Sequence, residues 1–202
     1  MKKSYTKIEP SREWAVTSTS SVYSGFYKVE KLEFQHSLFN GGKSQLVDRE
    51  QFVRGNVVGV IAHDPKLDRI ALVEQFRIGA RNRDEHPWLI EVIAGMIEPL
   101  EQPQEVAIRE TYEEAGIRLT NVKQAMRYLA SPGSSTEEVF IFYGEADLSS
   151  AAGVFGLAEE GEDILLHVVN TEDAFAMMES GKICNAISII ALQWFRHSRM
   201  QS

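Results

Sequence analysis

Most of the chain alternates apolar with polar positions or carries short unbroken apolar runs, and three stretches take helical spacing instead. Phe26 to Phe39 alternates loosely and runs into FNGGKS, where Asn40, Gly41 and Gly42 supply the positive φ of a hairpin turn, so a β-hairpin is predicted near the N-terminus. NVVGVIAH and RIALVEQF are β-branched-rich runs separated by DPKLD, whose Asp-Pro favours turn initiation, and predict a second hairpin. WLIEVI, residues 88–93, is a further strand. Pro103 to Ala115 predicts a helix, with Pro103 in its first turn and Gly116 as its C-terminal cap. At 100° per residue, Ile108, Tyr112 and Ala115 share its apolar side, and Glu110, Glu113 and Glu114 fall on the other. EEVFIFYGEA and DILLHVV then read as strands, and TEDAFAMMESGKI and NAISIIALQWFRHSRM as helices capped by Thr171 and Asn185. Strands followed by helices, without internal repeats, indicate an α/β/α layered domain.

Composition narrows the function classes. A chain of 202 residues supports one main core with an appendage. Its 29 acidic against 21 basic residues give a net charge of -8, which argues against non-specific binding to nucleic acid or to anionic membrane. An acidic protein can still hold an anionic substrate by recruiting a cation. The single cysteine, Cys184, excludes an internal disulfide framework and fits a reducing compartment. MKKSYTKIEPSREW has lysines but no apolar run behind them, unlike a secretory signal, and AISIIALQWF is shorter than the roughly 20 residues that span a bilayer. A soluble, cytoplasmic protein is expected.

The chemistry is concentrated in AGMIEPLEQPQEVAIRETYEEAGI, Ala94 to Ile117. Like charges four residues apart repel by a few tenths of a kcal/mol on a helix, so Glu110 and Glu114 need an offset. A solvated acidic face is the ordinary reading of an isolated E-x-x-E-E. Carboxylates at i, i+3 and i+4 also suit a hard divalent cation, Mg²⁺ or in its place Mn²⁺. The flanking pattern decides between them. Gly95, five residues, Glu101, seven residues, Arg109-Glu110 and then Glu113-Glu114-x-Gly116-Ile117 fill every fixed position of G-x5-E-x7-R-E-U-x-E-E-x-G-U. The stretch therefore resembles the box of the Nudix hydrolases. Thr111, where an aliphatic residue is usual, is the one departure, and it leaves the metal ligands untouched.

The resemblance extends along nearly the whole chain to the ADP-ribose pyrophosphatase group of that family, through SGFY, LFNGG, REQFVRG, EQFRIGA, PWLIEVIAGMIE, LASPG and GLAEEGEDI, with Pro132 fifteen residues after Ile117. It implies a Nudix α/β/α sandwich with a mixed sheet, residues 51–202, and an N-terminal antiparallel β region, residues 1–50, that swaps and dimerises. It implies Mg²⁺ held by the Ala94 carbonyl, Glu110, Glu114 and Glu162, with Glu113 a further candidate on the same helix, and Glu160 as general base. Phe26 and Tyr27 match the pair that packs on adenine from the partner subunit. Arg49, Glu50, Arg54, Arg77, Met96, Ser131 and Glu137 match ligand-contacting positions. Gly95, Glu101, Arg109 and Gly116 shape the box, with Arg109 a cation among Glu101, Glu105 and Glu113. The implied reaction is hydrolysis of ADP-ribose to AMP and ribose 5-phosphate.

Competing chemistries fail on spacing. GKS at Gly42 to Ser44 lacks the upstream glycine of a P-loop, Ser37 standing in its place; GSSTE lacks the second glycine of G-x-S-x-G; and none of the five histidines forms H-E-x-x-H. Two alternatives stay open within the resemblance: hydrolysis of another sugar nucleotide such as GDP-mannose or ADP-glucose, whose enzymes carry a similar SPG, and an ADP-ribose sensor without turnover. An intact box favours the enzyme.

Overall fold

The computed structural model describes residues 12–201, apart from the side chain of Glu160. The chain divides into two compact units, one of residues up to Arg54 together with Ala130–Glu137, the other of Gly55–Leu129 and Glu138–Ser202.

The first unit is a three-stranded antiparallel sheet of β1 (Trp14–Ser24), β2 (Lys28–His36) and β3 (Val47–Val53), in that order. The predicted turn joins β2 to β3: Gly41 and Gly42 have φ of 88° and 80°, and Leu38 N–H donates to the Gly42 carbonyl. β1 was not among the predicted strands. Its TSTSS core carries no apolar alternation, and the strand is exposed along its whole length. Within this unit Ala130–Glu137 runs beside the end of β3, where Phe52 N–H donates to the Ser134 carbonyl at 2.7 Å and Thr136 N–H returns to Phe52 at 3.1 Å.

The second unit is built on an eight-stranded mixed sheet. β4 (Val57–Asp64) and β5 (Arg69–Phe76) form the predicted second hairpin; β9 (Glu138–Glu145) lies parallel to β4, and β8 (Thr120–Leu129) borders it on the outside. On the other side β11 (Ile164–Asn170) pairs with β5, and β10 (Val154–Phe155) with β11. β4 and β5 pair only beside their turn, at Ala62–Asp64 with Arg69–Ala71, and then diverge. The predicted strand at 88–93 fills that opening as two strands. β6 (Trp88–Glu91) pairs with β5, β7 (Ile93–Met96) pairs with β4, and the chain steps across at Val92, whose N–H finds Ser188 Oγ at 2.8 Å.

Period-two alternation sends the two faces of the sheet into separate cores. Val58, Val60, Ala62, Ala71, Val73 and Ile93 pack under α1 (Pro103–Ala115). Ile61, Ile70, Leu72, Ile141 and Val92 pack under α2 (Thr171–Glu179) and α3 (Ala186–Arg199). This is the expected α/β/α arrangement. Asn185 caps α3 as predicted, accepting from Ser188 N–H at 2.9 Å. Thr171 does not cap α2; Asn170 holds that position, and the Thr171 hydroxyl donates instead to Asp68. No helix among the described residues is long and apolar enough to cross a membrane.

Candidate metal and diphosphate site

α1 keeps its predicted limits. Pro103 occupies the first turn and Gly116, at φ 65°, ends the helix, its N–H on the Tyr112 carbonyl at 2.9 Å while Ile117 N–H reaches the Thr111 carbonyl. The faces differ from expectation. Val106, Ala107, Thr111, Glu114 and Ala115 are buried, whereas Ile108 and Tyr112 stand in solvent. Small residues lie against the sheet because they let the helix axis approach it, and the bulkier apolar pair is left outside. Thr111 is fully buried without leaving an unmet polar group, since its hydroxyl donates to the Ala107 carbonyl at 2.7 Å.

Glu114 thus belongs to the inner face. It is only 3% exposed, and its Oε2 accepts the Ala94 N–H from β7 at 3.2 Å. Glu110, one turn earlier, lies over Gly95: a Cβ at residue 95 would stand 1.9 Å from the Glu110 carboxyl carbon. Glycine is required there by this close approach.

Arg109 fastens the remaining acids. Its Nε and Nη2 donate to the two oxygens of Glu101 at 3.2 Å each, and Nη1 lies 2.9 Å from both Glu110 Oε1 and Glu113 Oε2. Glu105, expected in this cluster, is exposed, and Glu110 takes its place. Glu101 also accepts the Glu98 N–H at 2.9 Å, closing the loop before the helix. That bond, with help from Arg109, holds the Glu101 carboxyl below its usual range.

The inner carboxylates behave oppositely. Burial, reinforced by Glu113 and Glu162, pushes Glu110 up to about 7 against the pull of Arg109. Burial, with the charges of Glu110 and Glu162, pushes Glu114 up to about 8 against Ala94 N–H and Arg77. Among the described residues no three His, Cys, Asp or Glu side chains already converge as a ligand group. The donor chemistry of these acids, and the way each is held, suit a cation. Glu110, Glu114 and Glu162 are hard oxygen donors within electrostatic reach of one another, and one oxygen of each is fixed, by Arg109, by Ala94 N–H and by Leu157 N–H at 3.0 Å respectively. The other oxygen of each is left to coordinate, and a divalent cation would supply positive charge beyond the single guanidinium of Arg109 that reaches Glu110. Glu113, bound by Arg109, sits at the rim of this group. Glu160 ends a short 3₁₀ turn, Ala158–Glu160, and its side chain lies outside the described part of the structure.

Arg77, just beyond β5, is held by a residue the sequence reading passed over. Glu91 is 3% exposed and accepts Arg77 Nε at 2.8 Å and the Asn185 amide at the start of α3. An acid inside the apolar run WLIEVI was the available signal. Met96 ends β7 opposite Val57.

The other ligand-contacting candidates lie in the first unit, where Tyr27, Arg54 and Glu137 come together. The Phe26 and Tyr27 rings meet edge to face at 4.8 Å, Arg54 stands 5.5 Å from the Tyr27 centroid, and Arg54 Nη1 binds Glu137 at 2.9 Å. Phe26 is 85% exposed. Ser131 shapes the Ala130–Glu137 segment, its carbonyl accepting from Ser134 and Ser135 N–H. Arg49 and Glu50 are exposed on β3 and do not join the Tyr27 group. A separate cavity of about 510 Å³ in the second unit is lined by Glu74, His86, Trp88 and His167 and includes none of the box residues.

A family model, the NUDIX domain, matches residues 53–179. An ADP-ribose pyrophosphatase of Haemophilus influenzae is 46% identical over 184 residues, covering 90% of this chain and 85% of its own length. A GDP-mannose pyrophosphatase of Citrobacter koseri is 28% identical over 153 residues, 75% of this chain and 79% of its own. A solved structure titled as an ADP compounds hydrolase shares the fold at a TM-score of 0.72 with 16% identity, covering 98% of both chains.

Proposed function

Because the chain belongs to the Nudix family, we propose that it hydrolyses the diphosphate of ADP-ribose to AMP and ribose 5-phosphate with Mg²⁺, Mn²⁺ being able to substitute. The observation that carries this reading is the neighbouring pair Glu110 and Glu114, fixed over Gly95 and on Ala94 N–H, whose carboxyls burial raises even though Arg109 pairs with Glu110. Similarity to a protein named ADP-ribose pyrophosphatase at 46% identity over most of both chains supports the substrate.

The Ala94 carbonyl, Glu110, Glu114 and Glu162 hold the cation, with Glu113 at the edge of the set. When bound, Mg²⁺ supplies neutralisation of the diphosphate and activation of water. The protein's part is geometric and electrostatic. Arg109 and Glu101 keep the box acids in place, Arg77 braced by Glu91 adds positive charge beside the phosphates, and Glu160 takes the proton of the attacking water. The phosphorus–oxygen bond of the bridge breaks as the new one forms, and the departing phosphate carries away the electron pair.

Phe26, Tyr27, Arg49, Glu50, Arg54, Met96, Ser131 and Glu137 recognise the nucleotide, with Phe26 and Tyr27 supplied by a partner subunit. Trp14 and Phe39 near one end of the three-stranded sheet and Phe26 at the other are 75%, 82% and 85% exposed, apolar area that contact with a second copy would remove from water. The homodimer is formed by residues 1–50, of which the first eleven lie outside the described residues, while 51–202 carry the chemistry. The protein works in the cytoplasm, without nucleic acid or membrane as partner.

Purified protein with Mg²⁺ is expected to release AMP from ADP-ribose, EDTA to stop it, and Glu114→Gln to slow it by about 10³-fold or more. Tight ADP-ribose binding with no AMP released would make the protein a sensor instead.

A further inference from the structure

Gln75 is the least explained polar residue of the catalytic unit. It is 8% exposed, next to last on β5, and its side-chain Nε2 has no hydrogen-bond partner among the described residues. Such a donor is costly to bury and is retained where something uses it.

Its position says what that something is. Along β5, Ala71 and Val73 face α1 while Ile70 and Leu72 face the other way, so Gln75 follows Val73 onto the α1 side and Arg77 follows Gln75. Leu166 of β11 lies opposite Val73 and Leu165 opposite Glu74, which sets Gln75 beside the start of β11, two residues after Glu162. Across the other edge Glu91, the brace of Arg77, lies opposite Val73. The charges of Arg77 and Glu162 both act on Glu114. Gln75 is therefore placed on the sheet face that α1 covers, two residues before Arg77 and beside the start of β11.

The missing partner must be an acceptor. The carboxylates nearby spend one oxygen each on Arg109, Ala94 and Leu157, and none accepts from Gln75. Water bound to a hard cation is chiefly a donor. An ionised diphosphate offers only acceptor oxygens, and it is the group this site is read to bind.

We propose that Gln75 is a further substrate-binding residue, its side-chain amide N–H donating to an anionic oxygen of the diphosphate. This rests on the diphosphatase reading above, and the test separates the two. Gln75→Glu keeps the shape and removes the donor; Gln75→Met removes the polarity altogether. Each is compared with the wild type for Mn²⁺ binding alone, for binding of the non-hydrolysable α,β-methylene analogue of ADP-ribose with Mg²⁺, and for melting temperature without ligand.

For Gln75→Met the expected results are a Mn²⁺ affinity within about twofold of wild type, analogue binding weaker by about tenfold or more, and a higher melting temperature in the free protein. Gln75→Glu is expected to weaken the analogue further by repulsion. Wild-type binding of the analogue with equal binding by both variants overturns the role of Gln75 and leaves the diphosphatase reading standing. Failure of the wild type itself to bind the analogue overturns both.

Discussion

In metal-free protein, Glu114→Gln exchanges a buried carboxyl for a neutral group of the same outline that still accepts the Ala94 N–H. An ordinary value of 4.5 raised to about 8 corresponds to about 5 kcal/mol of penalty on the ionised form, at about 1.4 kcal/mol per pKa unit. Glu110 titrates beside it and relieves part of that penalty by taking up a proton itself, which leaves on the order of 3 kcal/mol for the substitution. The sign follows from proton uptake. Below the unfolded value both states hold the proton and the charge costs nothing. As pH rises towards about 8 the unfolded chain has already released it, so native stability falls relative to the variant and then levels off. Urea unfolding in EDTA reads this directly. Wild type and Glu114→Gln should match at about pH 4 and below, and the variant should be the more stable by about 3 kcal/mol near pH 9. Saturating Mg²⁺ should then raise the wild type and leave the variant nearly unchanged. A difference that does not vary with pH, or a variant that is weaker at pH 9, would refute the account of a buried uncompensated charge.

Further expectations follow from the same geometry. Mg²⁺ must displace protons from Glu110 and Glu114, so its affinity should climb between about pH 6 and pH 8.5 with proton release measurable by calorimetry in buffers of different ionisation enthalpy; a flat profile would place the cation elsewhere. Gly95→Ala drives a methyl group into the Glu110 carboxyl, and should cut kcat by about 10²-fold or more with the fold retained by circular dichroism. Glu91→Gln loosens Arg77 and should lower kcat/KM for a diphosphate substrate by about tenfold, with Mn²⁺ binding intact. Far from the site, Arg199 binds Asp68 through both nitrogens at 2.6 and 2.9 Å; Arg199→Ala should cost about 1 kcal/mol in urea unfolding at neutral pH without changing kcat.

The sequence was legible where local chemistry and long-range packing agree. Pro103 and Gly116 mark the ends of α1, DPKLD marks the β4–β5 turn, and the motif spacing identifies the carboxylates before any fold is known. It was illegible where packing overrides composition. β8 reads as polar and irregular because it is an outer strand with two breaks of register, one between Thr120 and Lys123 and one between Gln124 and Met126. The inner face of α1 is carried by small residues, which an amphipathic count underweights against Ile108 and Tyr112. Glu114 was placed with the exposed acids because hydropathy alone never predicts a buried carboxylate. WLIEVI reads as one strand because nothing in six residues records that β4 and β5 diverge beneath it. The Ala130–Glu137 segment joins the β3 end through backbone bonds to Phe52, the Thr136 hydroxyl on the Arg54 backbone and the Arg54–Glu137 pair, contacts between distant parts of the chain that no local pattern records.

The central claim, that this site hydrolyses ADP-ribose through the Glu110 and Glu114 carboxylates, is tested most directly by kcat/KM measured side by side for ADP-ribose, GDP-mannose, ADP-glucose and NADH in Mg²⁺. The account predicts that ADP-ribose is preferred, with AMP and ribose 5-phosphate as the products and the activity lost in Glu114→Gln. A preference for GDP-mannose, or full activity in Glu114→Gln, would contradict it.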